Sequence, residues 1–303
     1  MVEFTAAEPY LMDIVVIFAA AMVVGASLGT SGAVLQSVLR NPLAEPYLLG
    51  MVGGGALFAS LAMTTGLSEA GSWVMPAASL LGSLFSLALV GAVAWCSARA
   101  KKSGGGDAFA RSSHSAVILA GFVVGGTMGS LEMLVISLGD ESAFATVSKW
   151  LYGSLAHVSP AALAGTAAVF AVSAAGLWSV RRELNVMELG HDEAALLGVN
   201  VRLVAVIAIG STALATSAAV ALAGAIGFVG LVVPHLVRRL FGPRMQVLLP
   251  MSALFGGLFV ALGEWLVRLL PGDVGVGVAC AITGGPVFLV LLASRHSGAG
   301  RDI

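Results

Sequence analysis

Charge is what this sequence has least of. Only 10% of its 303 residues are Asp, Glu, Lys or Arg, where a soluble domain carries about a quarter. So few charges cannot cover a water-facing surface. With 58% hydrophobic residues and a mean hydropathy of +0.98, the chain reads as a protein whose main solvent is lipid. Cysteine is nearly absent. Cys96 and Cys280 fit neither a disulfide framework nor a metal-ligand spacing, so they read as small apolar residues inside helices. His114, His157, His191, His235 and His296 are scattered and form no H-E-x-x-H or similar pair, so no metal site is expected. A Walker loop needs a glycine directly before its lysine. The three lysines follow Ala100, Lys101 and Ser148, so that loop is excluded. No nucleophile–base constellation is present, and neither enzyme activity nor a nucleic-acid partner is expected. No basic n-region precedes the first apolar run, so nothing there reads as a cleaved signal peptide.

What is present is a series of long apolar runs. They lie near 12–38, 47–66, 72–98, 115–138, 160–180, 202–222, 224–240, 247–270 and 274–294. A helix needs roughly 20 apolar residues to cross the hydrocarbon core, and these runs neither alternate nor shorten as β-barrel strands would. The expected fold is therefore an all-α polytopic membrane protein of about nine helices, forming one transmembrane domain over 1–303. The seventh run, "AGAIGFVGLVVPH", is short and broken by glycine, which predicts a half-crossing or a bent helix. A further short helix is expected near 140–155, too polar to span.

Positive charge orients the chain. With 39–50 on the cytoplasmic side, 13 of the 15 basic residues fall inside, and only Lys149 and Arg268 fall outside. The amino terminus is then outside. The glycine-rich segment 97–114 reads as a flexible cytoplasmic loop. Most acids, Glu45 among them, sit at predicted span ends. Glu132 and Glu264 lie within spans, toward the outer side. A gradient-driven carrier usually buries acids mid-span. Their scarcity weighs against that mechanism but leaves an ion-coupled secondary transporter as the alternative, with Glu132 its best coupling residue.

Several stretches carry local signals. In "LRNPLAEPYLLG" (39–50), Asn41-Pro42 stops the first span, because proline disfavours helical geometry in the residue before it. Pro46 stiffens the turn. The polar segment 181–202 contains a short helix between Gly190 and Gly198, and Ala194, Ala195, Leu196 and Leu197 give it an apolar surface. Such a surface fits a partner's groove or the membrane surface. Glu264 and Arg268 are spaced for a helical ion pair. Gly121, Gly125 and Gly129 recur every four residues, a face that lets another helix approach closely.

Three blocks, "GTSGAVLQSVLRNPLAEPYLLGMVGGGA" (29–56), "VALAGAIGFVGLVVPHLVRRLFG" (220–242) and "GVGVACAITGGPVFLVLL" (275–292), together resemble the FecCD/BtuC-type permeases of ABC importers for iron–siderophore, haem and cobalamin. The likeness runs from about residue 18 onward. It implies the membrane-spanning permease subunit of a type II importer in a bacterial or archaeal cytoplasmic membrane. Such a permease works by alternating access, pairs with a second permease subunit as homodimer or heterodimer, and is driven by two separate ATP-binding subunits. ATP and Mg are used by those partners, and this chain binds no cofactor. An extracytoplasmic substrate-binding protein delivers the cargo.

The resemblance assigns residues too. Leu189, Gly190, Ala194, Leu197 and Gly198 match the "LG…A…LG" loop that couples to the ATPase. Arg268, paired with Glu264, matches the outer docking site for the binding protein, with a purely intramolecular ion pair as the other reading; Lys149, the one other cation on the outer side, is available to share the docking role. The helix of Gly121, Gly125 and Gly129 lines the central pathway in the family, with packing inside one subunit as the other reading. "KWLYGSL" (149–155), with Trp150 and Gly153, resembles the outer gate; Trp150 and Tyr152 also suit interfacial anchors. Asn41, Pro42 and Pro46 form a structural turn near the ATPase side, with direct coupling as the alternative. The family has ten helices and a basic stretch before the second. Here that first helix is expected to be missing, and the basic stretch aligns with residues 14–17, which hold no arginine.

Overall fold

In lipid a backbone segment must satisfy its own hydrogen bonds, and a helix does this alone. The computed structural model describes residues 4–71, 73–102, 109–139, 151–156, 158–272 and 274–298. Among them the α-helices are α1 (Phe4–Val38), α2 (Met51–Thr64), α3 (Val74–Lys102), α4 (Phe109–Leu138), α5 (Pro160–Ser179), α6 (Arg181–Met187), α7 (His191–Leu196), α8 (Val201–Ala223), α9 (Val229–Phe241), α10 (Met245–Leu269) and α11 (Val276–Gly298). Short 3-10 turns occupy Pro46–Leu49 and Leu67–Ala70. Each of the nine predicted spans falls on a helix. Six of them, within α1, α3, α4, α5, α8 and α10, are long and apolar enough to cross a membrane, and α2 and α11 are shorter apolar helices. The seventh run proves to be a half-crossing, because α9 has only 13 residues and ends in Arg238 and Arg239.

The segment expected to be a loop at 97–114 is mostly helix. Ala-Arg-Ala-Lys-Lys are good helix formers, so α3 continues through Lys102, and α4 resumes at Phe109. Residues 103–108 lie outside the described residues, as does 140–150, where most of the extra short helix was expected.

The interior is built from small residues. On α1, a methyl on Gly25 would collide with the carbonyl of Gly256 on α10, and one on Gly29 with the carbonyl of Ser252. The two backbones touch directly, which lipid-embedded helices use in place of a hydrophobic driving force. Bulky residues turn outward instead: Leu119, Phe122, Met133 and Val290 are exposed. On a soluble protein that would be a large liability. Here it is a surface suited to lipid.

Pro234 sits inside α9 and lacks the N–H that would bond the carbonyl of Gly230 four residues earlier. Gln36 of α1 fills the gap. Its Nε2 donates to the carbonyl oxygens of Gly230 and Leu231 at 3.1 and 3.3 Å. The half-helix is therefore fastened to the end of α1 by a backbone vacancy of its own making.

Candidate functional site

Two breaks in the chain meet at mid-depth. After Leu43 the 39–50 stretch does not remain at the surface, as a simple turn would. Arg40, Pro42 and Leu43 are exposed, but Ala44 and Pro46 are buried, and Gly50 reaches the middle of the bundle. The serines of α3 receive it: Ser86 Oγ donates to the carbonyl of Gly50 at 2.7 Å and Ser83 Oγ to that of Met51 at 2.8 Å. Gly50 adopts φ 71°, and a methyl there would stand 3.0 Å from the nitrogen of Gly125 and 3.1 Å from the carbonyl oxygen of Gly121. Gly121 and Gly125 thus pack against the start of α2 within this chain. No atom lies within 4 Å of a methyl built on Gly129. Pro42 and Pro46 both lie in the turn, at its two ends. Pro42 marks the surface turn, whereas Pro46 packs inward, its Cδ 2.9 Å from a methyl placed on Gly230.

The second break, residues 224–228, precedes α9. Phe228 takes the left-handed conformation, φ 67°, which bulky residues rarely adopt. Its ring lies over Gly284 and Gly285, halfway along α11. Glu45 from the first break accepts a hydrogen bond from the Phe228 backbone. Glu45 was expected at a span end, and the inward turn is what carries it to the centre. A third irregular strip, 152–154, joins them. Ser154 donates its N–H to Ala223 at 2.9 Å, while Gly153 and Tyr152 accept from Val276 and Gly277 at 2.9 and 3.1 Å. Gly153 is buried at φ 71° in this crossing, against Ala225 and Ile226. Together the strips line an open cavity of about 340 Å³ bordered by Glu45, Tyr47, Tyr152, Phe228 and Val278. Irregular backbone at membrane depth is tolerated only where protein or a cavity covers it. Lys149 and Trp150 lie outside the described residues.

At the end of the bundle holding Arg181, Arg202 and Arg244, α6 and α7 form a compact elbow. Leu184 and Met187 anchor α6 in the core. Asn185 accepts from the Met245 N–H at 2.8 Å and donates to Gln246 at 3.0 Å. Ala194 is 0% exposed, so it belongs to the core and not to the outer face where the sequence pattern placed it. A one-turn helix must sit on something, and its smallest residue allows the closest seat. Leu189, Leu196 and Leu197 point away, and Gly190 and Gly198 bound the helix at φ 147° and 86°. At the opposite end of α10, roughly 36 Å away for a helix of this length, Arg268 Nε meets Glu264 Oε1 at 3.0 Å. Glu264 is buried and Arg268 is partly exposed, so the intramolecular pair leaves part of the guanidinium facing outward.

The family model described as the FecCD transport family matches residues 12–294. The chain belongs to that family. Among FecCD relatives, the cobalamin import system permease protein BtuC of Halobacterium salinarum is 38% identical, over 90% of this chain and 70% of its own. The hemin transport system permease protein HmuU of Yersinia pestis is 33% identical, over 92% and 82%. A solved structure described as an inward-facing conformation of a metal-chelate type ABC transporter superposes with a TM-score of 0.81 at 29% identity, covering 92% of this chain and 85% of that one. As a member of the FecCD family with, among the described residues, six helices long and apolar enough to cross a membrane, the protein is a multi-pass component of the cytoplasmic membrane.

Two features of this FecCD chain escaped the sequence reading. One is the meeting of Glu45 and Phe228 at the cavity. The other is a polar knot at the root of the elbow: Arg238 donates to Glu188 at 2.8 Å and to Ser37 Oγ at 2.7 Å, and Ser37 Oγ donates to Glu188 at 2.7 Å. Pro234 was the available signal for the contact with α1, since a proline inside a helix demands a donor from elsewhere.

Proposed function

We propose that this FecCD chain is the permease subunit of a type II ABC importer for a metal chelate, the class that includes iron–siderophore, haem and cobalamin cargo. Two ATP-binding subunits grip the elbow at 189–198, a second permease subunit completes the pathway, and an extracytoplasmic binding protein presents the cargo. Nucleotide-driven closure of the ATPase pair moves the elbows, and the pathway opens alternately to the two sides. This chain positions and moves helices; ATP and Mg are bound by its partners. The observation that carries the reading is the elbow itself: Leu189, Leu196 and Leu197 held outward at the two ends of a short helix fixed to the core beneath. An apolar helix face presented to water is the feature a partner's groove covers.

The test is hydrolysis and uptake in proteoliposomes. The permease alone should hydrolyse no ATP, and adding the ATPase encoded beside it should produce hydrolysis that rises with cargo-loaded binding protein. Uptake by the permease alone, indifferent to ATP and collapsed by an uncoupler, would instead establish the ion-coupled carrier. That second reading is motivated by Glu132, buried within α4 beside Ser60 at 3.5 Å.

Arg268→Glu tests the outer face. Charge reversal at an exposed docking residue should slow capture of the binding protein and weaken it by about tenfold, the effect of roughly 1.4 kcal/mol. Assembly with the ATPase should be unaffected. Equal capture in a surface-binding assay would remove Arg268 from the docking site.

A further inference from the structure

The elbow must move something, and its apolar face cannot transmit motion into the bundle by itself. Beside its buried apolar anchors, Leu184, Met187 and Ala194, it also has a polar attachment to the bundle. Glu188, immediately before Leu189 and Gly190, accepts from both Arg238 and Ser37, at 2.8 and 2.7 Å. The other guanidinium nitrogen of Arg238 reaches Ser37 Oγ at 2.7 Å and the Ala33 carbonyl at 3.1 Å. One guanidinium thus binds three parts of the chain: the entrance of the elbow, the last turn of α1, and α9, on which it sits. Both charged side chains are mostly shielded, at 23% and 27% exposure, so the contact is not an ordinary surface pair.

Arg238 also lies near one end of a rigid element whose other end is at the cavity. α9 runs from Val229 to Phe241, and Phe228 at its head faces the cavity beneath Glu45. Gln36 braces the first turn of this helix through the Gly230 carbonyl, which Pro234 leaves free, and through the neighbouring Leu231 carbonyl. Glu188 is thus tied through Arg238 to the same helix that begins beside Phe228.

We propose that the Glu188–Arg238–Ser37 knot is the joint through which the elbow drives α9, and that Arg238 is a positioning residue linking the ATPase-facing helix to the aromatic wall of the central cavity. The inference rests on the ATPase-driven reading above. A spatial connection alone does not establish coupling, so the test must read transmission and not assembly.

The experiment uses the complete complex in proteoliposomes, with cargo-loaded binding protein, and measures cargo moved per ATP hydrolysed. Arg238→Gln and Glu188→Gln should each lower that ratio by on the order of tenfold, a coupling loss of the usual size between sites. Arg238→Lys, which keeps a cation at the joint, should lose distinctly less. The double variant Glu188→Gln/Arg238→Gln should be no worse than the poorer single one, because both remove the same contact. An unchanged ratio in the single variants, or losses that add in the double, would overturn the proposal. Ser37→Ala removes one hydroxyl only and keeps the test readable if Arg238→Gln lowers the yield of folded permease. It should shift the ratio in the same direction, and a wild-type ratio there counts against the joint. Failure of the wild-type chain to recruit any ATPase would sink the ATPase-driven reading instead, a result that the untreated complex reveals before any variant is made.

Discussion

Leu197→Asp is expected to abolish capture of the ATPase subunits while leaving the permease folded. Leu197 and its neighbour Leu196 are 66% and 89% exposed, so in the free chain the substitution removes almost no packing. Surface changes of this kind usually move stability by about 0.5 kcal/mol or less. The helix beneath is held by Ala194, Leu184 and Met187, none of which the substitution touches. In the complex the balance is different. A leucine that fills a partner's pocket is worth about 2–4 kcal/mol as an interface anchor, and a carboxylate buried without a cation adds a desolvation cost. The anchor loss alone corresponds to roughly 30- to 700-fold in affinity, and the desolvation cost adds to it. Titrating ATPase onto permease in nanodiscs, with a melting curve recorded on the same preparation, reads both quantities. Native affinity in a normally folded variant would show that the elbow faces something other than the ATPase, the membrane surface being the first alternative.

Gly256→Val should have the opposite signature, a large loss of fold with no specific effect on partners. The position that its Cβ would take is occupied by the Gly25 carbonyl, with the Gly29 Cα 3.4 Å away. Both obstacles are backbone, so neither can rotate aside, and α1 and α10 must separate along their contact. Overpacking a core costs about 1–3 kcal/mol when side chains can adjust. Here they cannot, so the upper end of that range is expected, with a fall in melting temperature in detergent and in yield. Gly91→Ala on α3 is the matched control. A methyl there meets no atom within 4 Å, and the helix gains roughly 0.5–1 kcal/mol from the lost chain entropy. Equal melting of the two variants would mean that the α1–α10 contact is looser than the backbone positions indicate.

The two variants separate what the sequence disclosed from what it hid. The scarcity of charge and the nine apolar runs were sufficient for a helical membrane protein, because lipid leaves a chain of that composition few other ways to satisfy its backbone. The exposed leucines at 196 and 197 were also legible, since an apolar run inside a polar segment stands out. Local composition could not tell which face Ala194 would take. An alanine is equally suited to a partner's groove and to the closest seat on a helix, and only the packing of α7 decided between them.

Glu45 makes the same point at the centre. Read along the chain, a glutamate between two prolines at the end of a span is a surface residue. Its depth depends on where α2 begins, and that depends on Ser83 and Ser86 of α3 and on Gly121 and Gly125 of α4, all remote in sequence. What the sequence determined by itself was the solvent, the helices, the family likeness and the outward leucines, each a consequence of composition or of residues close together in the chain. Tertiary structure alone decided the inward turn of 44–50, its meeting with Phe228, and the knot that ties Arg238 to Glu188 and Ser37. These rest on contacts between segments as many as about two hundred residues apart, and no local pattern encodes a distance of that kind.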